Sequence, residues 1–199
     1  AGLEPKMQGE VTIGGDAIAR LPAIARARRI GFLPQRGEVH WNLSARTLVA
    51  LGRLACGNPD HDEEVVDGVM ADLDIAHFAD RPVLTLSGGE LARVLLGRVL
   101  AGEPQWLLAD EPLANLDPAH QVAVLDRLSA VARAGAGVVA VLHDVNHAAR
   151  MAGHVLLMKE GEILAEGLPE AALTPERLEQ AFGVPFRRMM DESLILFPA

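Results

Sequence analysis

The spacing of the apolar positions changes along this chain, and each spacing indicates a strand or a helix. Residues 10–14 alternate apolar and polar positions, as a half-buried strand does, and a turn follows at 14–16. A second short apolar run covers 29–35. From 42 to 79 the apolar positions recur at helical spacing, and this predicts two helices that are separated at 57–60.

Beyond residue 86 helical and strand patterns alternate. Buried strands are predicted at 105–109 and 137–142, with an amphipathic helix at 119–133 between them. Two continuous apolar strands that a helix separates are typical of parallel strands covered on both faces. The other elements predicted in this part are two helices and the two strands of a hairpin, at 91–100, 145–152, 155–158 and 162–165.

These elements predict an α/β fold with two parts. The core is a mostly parallel sheet, formed by residues 1–40 and 86–199, with an antiparallel β portion near the N-terminus. Residues 41–85 interrupt this core, and we expect them to form a separate helical lobe.

Composition excludes several classes of function. The 199 residues carry 18 basic and 27 acidic side chains, a net charge of -9, and an acidic chain is a poor ligand for nucleic acid. A single cysteine, Cys56, allows no internal disulfide and fits a reducing compartment. No apolar run approaches the length of a membrane span, and the first residues do not resemble a signal peptide. We therefore expect a cytoplasmic protein.

Ser87, Gly88, Gly89 and Glu90 stand at the start of a predicted helix, and their pattern has two interpretations. Ser87 and Glu90 form a capping box, which ordinary helix capping explains. Capping does not explain the two glycines, because successive glycines at a helix start cost stability. Glycines in this place also expose backbone N–H groups at the positive end of the helix, where phosphate binds. The sequence leaves both interpretations open.

Asp110 and Glu111 directly follow the predicted strand at 105–109. The carboxyl end of a buried strand is where α/β proteins bind ligands. One carboxylate there can hold Mg²⁺ through water, while its neighbour orients or deprotonates an attacking water. An exposed acidic turn is the alternative, and the apolar strand before the pair favours the metal.

His143 follows the second predicted strand, and we expect it at the same sheet edge as Asp110. An imidazole in this place can form a hydrogen bond with a terminal phosphate. His143 and His147 are also four residues apart, a spacing that on a helix suits two metal ligands. The sequence offers no evident third ligand for such a site.

Together these motifs resemble those of the ATP-binding subunit of ABC transporters, over nearly the whole chain. Residues 86–90 resemble the ABC signature, 107–111 Walker B and 114–117 the D-loop. Gln35 stands at the position of the Q-loop glutamine, and His143 at that of the switch histidine. The resemblance implies a P-loop NTPase-like fold, with ATP and Mg²⁺ as ligands.

Other segments narrow the resemblance and show where the chain departs from it. Segments 49–53, 143–150 and 173–184 resemble the importers of iron-siderophores, haem and cobalamin. The Walker A motif G-x-x-x-x-G-K-[ST] is absent from this sequence. In the family it precedes the helix whose end residues 1–3 resemble, so we expect the chain to begin after the P-loop strand and first helix. Without that phosphate cradle, we expect the chain alone not to hydrolyse ATP.

The resemblance implies a role for each candidate residue. Asp110 and Gln35 would contact Mg²⁺, Glu111 would polarise the attacking water, and His143 would contact the γ-phosphate. The residues that would meet a nucleotide held by a second, identical subunit are Ser87, Gly88, Gly89, Glu90 and Asp117.

The resemblance also implies partners and a location. Two copies would form a homodimer, and each helical lobe would dock on an integral-membrane permease at the inner face of the cell membrane. We expect the docking surface to include Arg53 as an exposed residue. Two alternatives remain: a soluble ABC-type ATPase that is not linked to transport, and a non-catalytic chain that only dimerises or docks.

Overall fold

The structure is a computed structural model that describes residues 8–35, 39–56, 58–114, 116–190 and 194–198. They divide into two units, Ala1–Val141 and Leu142–Ala199. The predicted helix end at residues 1–3 and the D-loop residue Asn115 lie outside the described residues. The predicted boundaries of the helical lobe, at 41 and 85, stay a prediction.

The first unit begins with an antiparallel pair of two-residue strands, β1 (Thr12–Ile13) and β2 (Asp16–Ala17). Gly14 and Gly15 form the predicted turn between them, and both have positive φ angles, +57° and +87°. The predicted antiparallel portion near the N-terminus is therefore confirmed, in a shorter form than the pattern at 10–14 indicated.

A three-stranded parallel sheet forms the centre of the first unit. Its strands, in spatial order, are β3 (Ile30–Leu33), β4 (Trp106–Asp110) and β5 (Gly137–Val141). The parallel register confirms the predicted α/β core and pairs Leu33 with Ala109, and Asp110 with Val141. The carboxyl ends of all three strands therefore lie at one edge of the sheet.

Of the two strands predicted to be covered on both faces, β4 is completely buried along one face only, since Trp106 on its other face is 42% exposed. Leu107 and Ala109 of β4 are buried. Val139 and Val141 of β5, by contrast, are 49% and 50% exposed. These two valines point to the same face because side chains alternate along a strand. That prediction was wrong for β5, whose second face is open to solvent.

Five α-helices of the first unit are described: α1 (Ala23–Arg29), α2 (Ala45–Ala50), α3 (Pro59–Asp72), α4 (Gly88–Ala101) and α5 (Pro118–Arg133). The helices α2 to α5 were predicted. The ends of α4 and α5 lie within a few residues of the prediction, whereas α3 ends at Asp72 and the pattern indicated a helix to 79. The separation predicted at 57–60 ends earlier, because Pro59 is the first residue of α3, where a proline is favourable. Helix α1 was not predicted.

The helices α2 and α3 pack on α4 through aliphatic side chains. Val49, Met70 and Val94 are almost completely buried in this part of the unit. The approach is very close at Gly52, where an added methyl carbon would lie 2.0 Å from the backbone oxygen of Arg98. Only glycine fits at that position.

Arg53 is buried, and the prediction that it belongs to an exposed docking surface was wrong. Its side chain is 5% exposed. Its Nε donates to Asp62 of α3 at 2.7 Å, and its Nη1 donates to the backbone oxygen of Ala101 and to Glu103, each at 2.7 Å. Burial disfavours the charge, but the hydrogen bonds to Asp62 and Glu103 outweigh it and raise the pKa of the guanidinium above its usual value.

The described residues of the second unit form two antiparallel hairpins and three short helices. In chain order its elements are α6 (Val145–Met151), β6 (Val155–Lys159), β7 (Glu162–Gly167), α7 (Pro169–Ala172), α8 (Pro175–Phe182), β8 (Phe186–Met190) and β9 (Leu194–Pro198). The hairpin β6–β7 and helix α6 were predicted. The core of this unit includes Leu157, Leu173 and Leu178. Within the described residues, no helix is both long and apolar enough to cross a bilayer.

We predict that Arg53→Ala lowers the free energy of unfolding by about 3 kcal/mol, because it leaves Asp62 and the end of α4 without their buried cation. The matched control is Arg46→Ala, since Arg46 forms an ion pair with Asp67 in which both side chains are exposed. That change should cost at most about 1 kcal/mol. Urea unfolding measures both. Equal losses in the two variants would contradict a structural role for Arg53.

Candidate functional site

The parallel register brings Gln35 and Glu111 together at the carboxyl edge of the sheet. Gln35 comes two residues after β3, and Glu111 one residue after β4. The Nε2 of Gln35 donates a hydrogen bond to Oε2 of Glu111 at 2.5 Å. Both residues were predicted as site residues from separate motifs, and the structure shows that they are in contact.

Glu111 has an unusual backbone conformation. Its φ angle is +47°, in the left-handed region that non-glycine residues avoid at a cost of about 1 kcal/mol. The chain turns sharply there, and the N–H of Ala114 donates to the backbone oxygen of Glu111 at 3.1 Å. The turn directs the chain away from the sheet directly after the strand, while the Glu111 side chain reaches Gln35.

Asp110 and Gln35 carry a donor set that suits Mg²⁺. Asp110 is the last residue of β4 and is half-buried. The amide nitrogen of Gln35 donates to Glu111, so its oxygen is the atom that can coordinate a cation. Mg²⁺ takes oxygen ligands, usually one or two from protein and the rest from phosphate and water. Across the described part of the chain, no cluster of three or more His, Cys, Asp or Glu side chains is arranged to hold a metal ion.

The first turn of α4 contains the predicted capping box. The hydroxyl of Ser87 accepts from the N–H of Glu90 at 3.3 Å, and Glu90 Oε2 accepts from the N–H of Ser87 at 2.7 Å. The other carboxylate oxygen, Oε1, accepts from Arg81 Nη1 at 3.1 Å. The hydrogen bond from the Ser87 backbone holds the pKa of the Glu90 carboxyl below its usual value, and Arg81 adds to this effect. Each oxygen of Glu90 thus accepts a hydrogen bond within the chain.

The fold gives no steric reason for the two glycines of the signature. An added methyl carbon at Gly88 would find no atom within 4 Å, and one at Gly89 would find only ordinary contacts, at 3.8 Å, with His120. Neither glycine has a positive φ angle. Alanine would therefore fit at both positions and would favour the helix. The phosphate-binding interpretation of the two glycines therefore stays a prediction.

Asp117 caps α5. Its Oδ1 accepts from the N–H of His120 at 3.0 Å, and its Oδ2 lies 2.6 Å from Nδ1 of the same histidine. The backbone hydrogen bond from His120, followed by that from its ring, holds the pKa of the Asp117 carboxyl below its usual value. Asp117 is exposed, so it is accessible to a partner.

His143 belongs to the second unit, where it lies exposed in a bend two residues before α6. Asp144 caps that helix by accepting from the N–H of Asn146 at 2.7 Å. Because His143 precedes the helix, it does not share a helical face with His147 at the spacing of four. The alternative of a helical metal pair was therefore wrong.

The sequence analysis did not identify two residues that form hydrogen bonds with candidate site residues. Arg81 holds Glu90 from nine positions away, a spacing that corresponds to no local motif. His120 stands three residues after Asp117, which is the spacing of a side chain that returns to its own helix cap, and this signal was available.

Comparison with known proteins places these features in a family. A sequence model of the family described as ABC transporter matches residues 1–114. The hemin import ATP-binding protein HmuV of Nocardia farcinica is 42% identical over 180 residues, which are 89% of this chain and 62% of that protein. HmuV of Pseudomonas entomophila is 41% identical over 182 residues, which are 88% of this chain and 71% of that protein. The chain thus spans roughly two thirds of the length of these relatives.

The fold also has relatives among solved structures. A metal-chelate type ABC transporter in an inward-facing conformation superposes with a TM-score of 0.77 at 29% sequence identity. The match covers 86% of this chain and 72% of that one. The matched region includes the α/β arrangement that the sequence predicted.

We predict that Gly88→Ala leaves the free energy of unfolding unchanged or raises it by up to about 1 kcal/mol, because the added methyl group meets no atom and favours the helix. The control is Gly52→Ala, whose methyl carbon would collide with the backbone of Arg98. Urea unfolding of both variants should show a loss of stability only in Gly52→Ala. A clear loss of stability in Gly88→Ala would mean that the fold itself requires this glycine.

Proposed function

This chain belongs to the ABC transporter family, and we propose that it is the ATP-binding and ATP-hydrolysing subunit of an importer of iron chelates, haem or cobalamin, with hemin as the first candidate. The observation that carries the hydrolytic part is the hydrogen bond from Gln35 to Glu111 beside Asp110. The named relatives are hemin import proteins, and this similarity supports the cargo.

Glu111 is the residue that activates water in this proposal. A carboxylate at a sheet edge can accept a proton from water and direct its oxygen at the γ-phosphate of ATP. Gln35 holds one oxygen of that carboxylate through its amide N–H, so the carboxylate has a fixed orientation before the nucleotide binds. Hydrolysis of this kind depends mainly on positioning and on charge stabilisation, and the hydrogen bond from Gln35 to Glu111 contributes to the first.

Asp110 and the amide oxygen of Gln35 would hold Mg²⁺, with the remaining ligands taken from phosphate and water. When bound, Mg²⁺ neutralises charge on the phosphates. Gln35 would then contact both the metal and the water-activating carboxylate, and it connects them to the segment that leads into the helical lobe at 41–85. His143 would donate to the γ-phosphate, as the family resemblance implies.

A second copy of the chain would complete the nucleotide site. Ser87, Gly88 and Gly89 would present a hydroxyl and backbone N–H groups to the γ-phosphate of ATP held by that copy. Glu90 would act through its capping hydrogen bonds, which fix the first turn of α4. Asp117 would line the same interface.

The helical lobe would dock on the permease, with the subunit peripheral at the inner face of the cell membrane. Arg53 does not belong to this surface because it is buried, but large apolar side chains nearby in sequence are exposed. Leu54 is 80% exposed and Trp41 is 72% exposed. Exposed side chains of this size are unfavourable in water and are typical of sites that a partner covers.

We predict that Glu111→Gln keeps ATP binding and reduces ATP turnover by about 10²-fold or more, in a protein that carries a Walker A segment ahead of this chain. The amide oxygen of glutamine can still accept from Gln35, so the shape of the site is retained while the basic oxygen is lost. Nucleotide binding and steady-state hydrolysis are measured side by side. The ATP-bound dimer should also persist during gel filtration.

Glu160→Gln is the matched control for this experiment. Glu160 has a similar left-handed backbone, with φ +52°, in the turn of the β6–β7 hairpin. Its substitution should leave turnover within about twofold of the parent protein. Near-normal turnover in Glu111→Gln would exclude Glu111 from the mechanism.

We further predict that Leu54→Glu reduces transport about tenfold, equivalent to about 1.4 kcal/mol of docking free energy, while basal ATP hydrolysis is retained. Leu156→Glu, at a half-exposed leucine of β6 in the second unit, is the control and should transport normally. Transport is measured in vesicles that contain the permease. Normal transport by Leu54→Glu, or crosslinks that place the permease against 161–173, would contradict docking through the lobe.

A further inference from the structure

One ion pair joins helix α5 to the end of helix α3. The Nη2 of Arg127, in α5, pairs with Oδ2 of Asp72, the last residue of α3. Helix α3 belongs to the predicted lobe at 41–85, and α5 belongs to the predicted core. The residue that caps α5 is Asp117, in the segment that resembles the D-loop. The ion pair therefore connects the helix that begins at the candidate interface between two copies with the lobe that would dock on the permease.

The helices around this ion pair are loosely packed. A cavity of about 370 Å³ lies between the end of α3, α4 and α5, and both Asp72 and Arg127 line it. Protein interiors are normally close-packed, and close packing transmits the movement of one element to its neighbour. The helices α2, α3 and α4 pack on one another, but α5 faces the end of α3 across this cavity. The ion pair is therefore the contact that can make α3 and α5 move together at this place.

Arg127 differs from Arg93, the other arginine that lines the cavity. Arg93 donates from Nη1 to the backbone oxygens of Leu73 and Asp74, at 3.3 and 3.1 Å, so it connects α4 with the end of α3 inside the packed group. Arg127 reaches the same group from outside, from α5. Its buried Nε has no hydrogen-bond partner within the described part of the chain, so the ion pair is the interaction that fixes its guanidinium.

We propose that Arg127 is a positioning residue that transmits docking of the permease on the lobe to α5, and through the start of α5 to the nucleotide site between two copies of the chain. This inference rests on the proposed function, because that function supplies both the permease and the shared nucleotide. Arg127 touches no nucleotide in this proposal. It acts through Asp117, whose place at the interface depends on where α5 lies.

The exposure of the ion pair limits the size of its effect. The side chain of Arg127 is 27% exposed and that of Asp72 is 54% exposed, so water screens their charges and the pair adds little to stability. The pair cannot shift an equilibrium by more than the free energy that is lost when it breaks. We therefore expect removal of Arg127 to weaken the connection about fivefold, equivalent to about 1 kcal/mol, with a small change in stability.

The first experiment tests the contact in the 199-residue chain without nucleotide. Asp72→Ala should shift the Nε–H resonance of the Arg127 side chain in a ¹H–¹⁵N spectrum, because the paired carboxylate is lost. Asp80→Ala, at an exposed aspartate of the lobe, is the control and should leave that resonance in place. Arg127→Ala should lower the urea midpoint by no more than about 0.5 M. An unchanged resonance in Asp72→Ala, or a larger loss of stability in Arg127→Ala, would overturn the proposal.

The second experiment tests the connection in the protein that carries a Walker A segment, in vesicles that contain the permease. Arg127→Ala should reduce the stimulation of ATP hydrolysis by the permease about fivefold, while hydrolysis by the subunit without the permease stays within about twofold. Arg133→Ala, at an exposed arginine in the last turn of α5, is the matched control and should retain the stimulation. The double variant Asp72→Arg with Arg127→Asp exchanges the charges and should recover most of the stimulation that either single change loses.

The outcomes separate the two proposals. A parent protein that does not hydrolyse ATP, or that the permease does not stimulate, contradicts the proposed function and with it this inference. Full stimulation in Arg127→Ala leaves the proposed function standing and overturns the role of Arg127. An equal loss in Arg133→Ala, or a double variant no better than the single ones, also overturns that role, because the pairing of the two charges would then not matter. A loss of hydrolysis without the permease in Arg127→Ala overturns it as well, since Arg127 would then be required by the site itself.

Discussion

The parallel pairing of β3, β4 and β5 is the constraint on which the candidate catalytic edge depends. Parallel strands end at the same side of a sheet, so residues that follow them in distant parts of the sequence become neighbours. Leu33 pairs with Ala109, and this register places Gln35 within hydrogen-bond distance of Glu111. A shift of the register by one residue would turn the alternating side chains of a strand to the opposite face and would separate the pair.

The proposed function has a second requirement, which concerns the first turn of α4. Its backbone must be held in place, and the space beside its two glycines must stay accessible. Its two glycines are dispensable for the fold by steric criteria, and the residues around them carry the contacts. Ser87 and Glu90 cap the helix, and Arg81 holds Glu90. In the proposed function, stability and binding depend on different residues of one turn, which is the arrangement expected where a ligand must approach the backbone closely.

The sequence predicted the site residues and the main elements, and it failed where the deciding contact is distant. The helical spacing of apolar positions identified α4 and α5, and continuous apolar runs identified β4 and β5. Arg53 looked exposed because an arginine in a helical pattern usually is. Its burial depends on Asp62, Ala101 and Glu103, whose proximity follows from tertiary packing. The hydrogen bond between Gln35 and Glu111 likewise follows from the register, which no local pattern contains.

The pairing of β3 with β4 also closes a long loop. Ile30 pairs with Trp106, so α2, α3 and α4 are all contained between the two strands along the chain. Closing a loop of flexible residues costs conformational entropy, and ordered helices within the loop reduce the number of flexible residues. The contacts of Arg53 with Ala101 and Glu103 join residues 48 and 50 positions apart, but both lie within this loop. Folding of the helices ahead of the sheet would therefore lower the entropic barrier to strand pairing, and Arg53 would influence how fast the sheet forms as well as how stable the helices are.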